Sequence, residues 1–315
     1  MRKWVYTILI ALLIAGGAVL CAVRWQAWFG MPEEPIRQGE QRTYRFPSFE
    51  KDYTPESLDI LVLGDIHNGL TRADYDTLAA RVPHADIIAQ SGDWMDRGQN
   101  YYYQALLDEW TPSALYGKPV IVCPGNHEYT KGLHKTLSPI WSQAFHTASN
   151  GPQDVPGVSY YVDLPQLRFI VIDTNPLDHV VYLTRTLTWL RRAMYSAGDR
   201  YIVVMMHHPV ISAAEGRWNP LIHGTFRYAL SQADLVIAGH DHSYMRKGPF
   251  VVLNAAGRPK RQRAHMQADV LETEPTYSVL SIKQSRVHQG QSPMSFVTYR
   301  LSDGKVIDIV YVKHD

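Results

Sequence analysis

An α/β fold follows from three features of the sequence. Five short apolar runs recur along it: LDILVL (58–63), ADIIAQS (85–91), KPVIVCP (118–124), YIVVMM (201–206) and ADLVIA (233–238). Runs this short, rich in branched residues and without polar alternation, are typical of strands covered on both faces. Helical stretches alternate with them, at Arg72–Val82, Tyr102–Glu109 and Tyr182–Ala193, as in strand–helix–strand units. Past Met245 the texture changes to PFVVLNAAG, TYSVLSIKQ, MSFVTYRL and KVIDIVYV, strand-like runs with turn residues and no helices between them. These runs are expected to complete a second sheet, not to form a separate domain.

Along the chain, the segment Trp4–Val23 contains no charged residue. At about 1.5 Å rise per residue, roughly 20 helical residues span about 30 Å, the thickness of a bilayer core. Arg24 and Trp25 follow it where a cleavable signal would carry a small-residue site, so residues 1–28 read as an uncleaved single-pass membrane anchor. Arg2, Lys3 and the terminal amine precede the span and only Arg24 follows closely. That bias favours an amino terminus in the cytoplasm and a domain outside the membrane it crosses. Residues 29–57 mix Pro, Gly and charges without apolar periodicity and read as a juxtamembrane linker. Residues 58–315 form the globular domain. Within it, Lys131–Gly157 has no clear period, and reads equally as a wall of a site or as a surface excursion.

Composition excludes some classes. The chain has 315 residues, 31 Lys and Arg against 30 Asp and Glu, and a net charge of +1, which gives no electrostatic case for nucleic-acid binding. Its two cysteines, Cys21 in the apolar span and Cys123 in a strand, make an internal disulfide implausible. The basic run Arg258–Arg263 reads as a solvated loop, with contact to anionic lipid or a polyanionic substrate as the alternative.

The chemistry sits directly after the five apolar runs. In order these positions hold Gly64-Asp65-Ile66-His67, Gly92-Asp93, Gly125-Asn126-His127-Glu128, His207-His208-Pro209 and Gly239-His240-Asp241-His242. Side chains just past the carboxyl ends of neighbouring strands project into a common crevice. A crevice lined by imidazole, carboxylate and amide oxygen suits Mn, Fe or Zn. Taken singly, Asp65–His67 could be a turn pair and Asp93 a helix cap, but neither explains why the remaining donors also fall at strand ends. His134, His146, His179 and His223 lie away from strand ends and read as structural or solvent-exposed.

Together these motifs resemble the calcineurin-like metallophosphoesterases, a family that includes Ser/Thr phosphatases, purple acid phosphatases and Mre11-type nucleases. The resemblance runs from about Leu58 to about Met245. Asp93-Trp94-Met95-Asp96-Arg97-Gly98 is similar to the Ser/Thr phosphatase element, whereas Val204–His207 and Gly239–Tyr244 are closer to the purple acid phosphatases. Asp96 stands where the latter carry a Tyr ligand, so the resemblance does not extend to a tyrosine–iron chromophore.

The resemblance implies a four-layer sandwich of two mixed β-sheets flanked by helices. It also implies two divalent or mixed-valence transition metal ions. Asp65, His67 and His242 would bind one, Asn126, His207 and His240 the other, and Asp93 would bridge them. The implied reaction is hydrolysis of a phosphomonoester or phosphodiester by in-line attack of a metal-bridging hydroxide. His127 would protonate the leaving oxygen, Asp96 would hydrogen-bond His127, and Arg97 would clamp phosphate with its planar guanidinium. Glu128 would orient nearby groups. His208 would point away in an extended strand and act as a hydrogen-bonded neighbour. A nuclease of the same family and a non-catalytic scaffold of the same fold are the alternatives. The neutral charge counts against the first, and the complete ligand set against the second.

Overall fold

Strand β1 (Ser57–Leu63) alternates Leu58, Ile60 and Val62 on one face with Leu61 and Leu63 on the other, and all five are buried. A strand apolar on both faces must lie inside a layered structure. The computed structural model describes residues 57–130, 135–217, 221–255, 261, 268–283, 286–287 and 292–313. The remaining strands are β2 (Ile87–Gln90), β3 (Val120–Val122), β4 (Tyr160–Leu164), β5 (Leu167–Ile172), β6 (Tyr201–Met206), β7 (Leu235–Ala238), β8 (Tyr244–Lys247), β9 (Phe250–Val252), β10 (Val270–Glu272), β11 (Thr276–Lys283), β12 (Met294–Arg300) and β13 (Val306–Val312). The main helices are α1 (Arg72–Arg81), α2 (Asn100–Trp110), α3 (Pro139–Ala144) and α4 (Val180–Tyr195).

One sheet has the order β13-β12-β11-β1-β2-β3 and the other β10-β8-β9-β7-β6-β5-β4. Strands β1, β2 and β3 are parallel, as are β5, β6, β7 and β9, while the outer strands pair antiparallel. Both sheets are therefore mixed. Their facing surfaces meet in a core that includes Ile60, Val62, Ile121, Phe169, Met205, Ile237 and Phe296. The opposite face of the first sheet packs with Tyr75, Leu78, Leu107 and Trp110 of α1 and α2. That of the second packs with Leu183, Leu190 and Met194 of α4. The four layers that the resemblance implies are present.

Local signals set the helix ends. Thr71 accepts a hydrogen bond from the Asp74 amide while Asp74 accepts one from the Thr71 amide, a capping box that opens α1. The C-terminal runs depart from expectation: β9 joins the second sheet, but β11, β12 and β13 extend the first. The reason is register, since β11 pairs antiparallel with β1 and sets Leu280 and Ile282 on the inter-sheet face beside Leu58, Ile60 and Val62. Asp308 of β13 then crosses to the second sheet, accepting hydrogen bonds from Tyr244 Oη at 2.8 Å and Arg246 Nε at 2.5 Å.

The expected anchor at Trp4–Val23 and the linker to residue 56 lie outside the described residues. Among those that are described, no helix is long and apolar enough to cross a membrane. Residues 131–134 also lie outside them. The rest of the segment 131–157 contains α3 and is otherwise irregular, with Tyr129 bridged to Leu137 at its start.

Candidate metal centre

The carboxyl ends of β1, β2, β3, β6 and β7 meet at one edge of the sandwich, and the loops that leave them carry the motif residues. The loops after β1, β2 and β7 turn sharply. Asp65, His67, Asn68, Asp93, His240 and His242 all adopt positive φ, between 49° and 76°; among the described residues only one other non-glycine does so. Such conformations cost on the order of 1–3 kcal/mol each and persist where the surroundings over-determine them. Here the turn aims each side chain back across its own strand end and into the crevice.

The over-determination is visible in the backbone. Amides of Asp65, His67 and Asn68 donate to the carbonyls of Gly92, Asp93 and Trp94 at 3.1, 2.9 and 3.1 Å. The β1–β2 pairing thus continues through the two loops past the end of the sheet. Glu128, fully buried, gathers the next loop into the same frame. Its carboxylate accepts from the Asp93 amide at 2.9 Å, the Met95 amide at 3.0 Å and the Gly125 amide at 2.7 Å. Burial first, then the neighbouring Asp93 charge, pushes the Glu128 carboxyl up to about 7, against the pull of those amides. A Cβ on Gly92, whose φ is 101°, would sit 2.5 Å from His207 Nδ1, and one on Gly125 would collide with the Asp93 carboxylate. Only glycines let these loops approach so closely.

Two groups of donors result. Asp65, His67, Asp93 and His242, all buried, each offer one donor atom, and those atoms lie within 4.8 Å of one another. His67 Nε2 faces His242 Nε2 at 3.0 Å, and His242 Nε2 lies 3.6 Å from Asp65 Oδ1. In the second group His207 Nε2 lies 3.1 Å from both Asn126 Oδ1 and His240 Nδ1. Asp93 Oδ2 belongs to both groups, 3.5 Å from His67 Nε2 and 3.2 Å from His207 Nε2.

The electrostatics fit a cation pair. Burial drives Asp65 well above the usual carboxylate range. It opposes ionisation of Asp93 as well, but His207 outweighs it and holds that carboxyl below its ordinary value. His207 is pushed up to about 9, the Asp93 carboxylate overriding desolvation, whereas burial takes His67 down to about 3 and keeps it neutral. Imidazole nitrogens turned toward one another around buried carboxylates match the donor types that bind Mn, Fe or Zn.

The other predicted residues surround this core. His127 is half-buried; its amide donates to Asp93 Oδ1 at 2.8 Å and its Nδ1 donates to the Asp96 main-chain carbonyl at 2.5 Å. Asp96 meets His127 through its backbone, and its carboxylate lies within 4.8 Å of a His127 ring nitrogen. The same carboxylate lies 3.6 Å from His67 Nδ1. Arg97 is exposed and makes no ion pair with another described residue. His208 departs from expectation because β6 ends at Met206, so the strand alternation no longer governs it. Its ring lies 4.4 Å from that of His240 while its Nδ1 pairs with Thr174 Oγ1 at 2.7 Å. His146 is exposed and His179 caps α4, away from the crevice; His134 and the side chain of His223 lie outside what is described.

Three contributors escaped the sequence reading. Arg217, from the loop after β6, places Nη1 2.6 Å from His240 Nε2. Asp173 and Asn175 follow β5, a strand whose end carries no metal-type residue, so no donor signal marked it. Asp241 was visible within its motif but without a role; its carboxylate accepts from the Ala213 amide and from Ser212 Oγ, both at 3.0 Å.

Glu128 generates a direct expectation. Glu128→Gln replaces a carboxylate facing three amides with a group that must turn an N–H toward at least one of them. The variant should lose about 1–3 kcal/mol of stability, read as a lower denaturant midpoint with an unchanged slope.

Comparison with known proteins agrees with this geometry. Residues 58–244, more than half of the chain, match the family described as calcineurin-like phosphoesterase. Glycerophosphodiester phosphodiesterase GpdQ of Enterobacter lignolyticus (strain SCF1) is 28% identical over 138 residues, 43% of this chain and 46% of GpdQ. The chain thus aligns with less than half the length of that relative. Purple acid phosphatase PPD1 from yellow lupin superposes with a TM-score of 0.63 at 14% identity, over 82% of this chain and 54% of PPD1. GAP50, the anchor in the inner membrane complex of Plasmodium, does so with a TM-score of 0.56 at 14% identity, over 82% and 89%. At such identities the likeness to solved structures is one of fold. The family match covers every strand end that bears a motif, and on that ground the chain belongs to the calcineurin-like phosphoesterase family.

Proposed function

We propose that the crevice is a two-cation phosphoesterase site whose shared ligand is Asp93. The observation that carries this is the position of Asp93 Oδ2, 3.5 Å from His67 Nε2 in one donor group and 3.2 Å from His207 Nε2 in the other. Asp65, His67 and His242 would hold one Mn, Fe or Zn ion, and Asn126, His207 and His240 the second. A cation pair of this kind supplies a nucleophile at neutral pH and neutralises charge developing on the phosphoryl group.

The chain's own residues do the rest. The Asp96 carbonyl accepts only a proton-bearing Nδ1, which fixes the His127 ring; in the imidazolium form Nε2 carries the second proton and passes it to the departing oxygen, leaving the neutral Nδ1–H ring. Arg97, exposed and unpaired with any described carboxylate, is free to grip phosphoryl oxygens with its planar fork. The substrate is a phosphomonoester or phosphodiester. The partial likeness to a protein named for glycerophosphodiester hydrolysis makes diesters the first class to assay.

We further propose that residues 58–315 are the catalytic domain, tethered through 29–57 to a membrane anchor at Trp4–Val23, with the domain outside the cytoplasm. This rests on the uncharged stretch and its flanking charges alone.

Three outcomes are expected. Asp93→Ala should strip both metals; elemental analysis that still finds two equivalents in the purified variant would refute the shared-ligand assignment. His127→Ala should keep its metals and lose on the order of 10²–10⁴-fold in kcat on alkyl esters. The loss should be smaller on p-nitrophenyl esters, whose leaving group needs no proton; equal losses would exclude the acid role. The full chain should sediment with membranes through carbonate washing. A C-terminal alkaline phosphatase fusion should be active and a green fluorescent protein fusion dark. The reverse pair would place the domain inside.

A further inference from the structure

Asn175 stands just past the end of β5, buried, with only 6% of its surface exposed. Its side-chain nitrogen is met by three acceptors: Asp173 Oδ1 at 2.9 Å, the Pro124 carbonyl at 3.2 Å and the Gly125 carbonyl at 3.3 Å. Three acceptors around one atom leave no doubt which end of the amide is the NH2. Pro124 and Gly125 are the two residues before Asn126 and His127. The Gly125 peptide is thus gripped on one side by Glu128, which accepts its N–H, and on the other by Asn175, which donates to its carbonyl.

Asp173 holds Asn175 in turn. Its Oδ1 accepts from the Asn175 amide at 3.0 Å as well as from the side chain. Its Oδ2 accepts from Tyr129 Oη at 2.5 Å and from the Val158 amide at 3.0 Å. Tyr129 lies two residues beyond His127, and Val158 lies just past the irregular segment that follows the motif. One buried carboxylate therefore joins both ends of the Asn126–His127 loop to the second sheet.

We propose that Asn175, oriented by Asp173, is a positioning residue that sets Asn126 for the second metal ion and His127 for the leaving group. This rests on the two-cation reading above. Neither residue touches substrate or metal; each acts through the Pro124–Gly125 backbone. Outer partners of this kind typically change metal affinity or activity by about 10–100-fold when removed. The effect should be selective, because Asp65, His67 and His242 hang from other loops and have no bond to Asn175.

The test is Mn²⁺ titration of the metal-free full chain in detergent, followed by calorimetry and by the spin-coupled signal of a dinuclear Mn centre. The wild type should bind two equivalents; if it does not, the two-cation reading fails and not this inference alone. Asn175→Asp keeps the shape but sets an oxygen against three oxygens. It should weaken one Mn²⁺ step by about 10–100-fold, leave the other within about twofold, and abolish the coupled signal. Asn175→Ala, which removes the donor without adding repulsion, should do the same to a smaller degree. In both variants kcat should fall more than KM rises. Two unchanged Mn²⁺ steps in a folded Asn175→Asp protein, or equal weakening of both steps in both variants, would overturn the proposal.

Discussion

Two carboxylates, Asp65 and Asp93, are buried to within 1% of complete exclusion from solvent and face the same cluster of imidazoles. Burying one carboxylate is costly; burying two side by side is tolerated only where cations or strong donors compensate. The rest of this edge of the molecule is arranged around that constraint. It explains why donors converge from both sheets, and why the loops accept left-handed backbone at six non-glycine positions. It also explains why glycines sit wherever two loops cross. A single sheet could not surround such a charge, whereas two sheets meeting at their carboxyl edges can.

The sandwich supplies this at modest complexity. Each parallel segment delivers consecutive strand ends to one edge, β1 to β3 from the first sheet and β5 to β7 from the second. The inter-sheet core runs directly beneath the crevice, with Val62, Ala89, Cys123, Met205 and Ile237 as its upper residues. The donors therefore stand on a packed base, and a shift of one loop must work against that packing.

Much of this was legible in the sequence, and the residues explain why. The strands that bear donors announce themselves twice, by an apolar run and by the Gly-Asp or Gly-His pair that follows. Helices at 72–81, 100–110 and 180–195 fall within two residues of their predicted ends, the first marked by a capping box and the other two by their apolar periodicity. What stayed hidden lacked a second signal. Strand β5, LRFIVI, is as apolar as its neighbours but leads into Asp-Thr-Asn, which carries no metal pattern of its own. The hydrogen bonds of Glu128 run to main-chain amides, which no side-chain pattern encodes. The facing of His208 toward His240 depends on β6 ending one residue before His207, a boundary finer than periodicity can resolve. The sheet chosen by β11–β13 depends on long-range register, which local texture does not carry.

A further regularity links the hidden residues. Besides the two carboxylates that face the imidazoles, three more are buried beneath the site: Glu128, Asp173 and Asp241. Each accepts main-chain amide hydrogens from a loop other than its own: Asp93 and Met95 for the first, Val158 for the second, Ala213 for the third. Asp65 does the same for the His240 amide, at 2.7 Å. A carboxylate is suited to this because it offers up to four acceptor positions and strengthens each bond by its charge. Loops that end in strained turns leave several amides pointing inward, where no sheet partner or water can meet them. The buried acids close that deficit and, in doing so, couple each donor loop to the next. The rigidity of the centre is thus a property of its backbone, held by buried acids. The metal-facing side chains inherit their geometry from it.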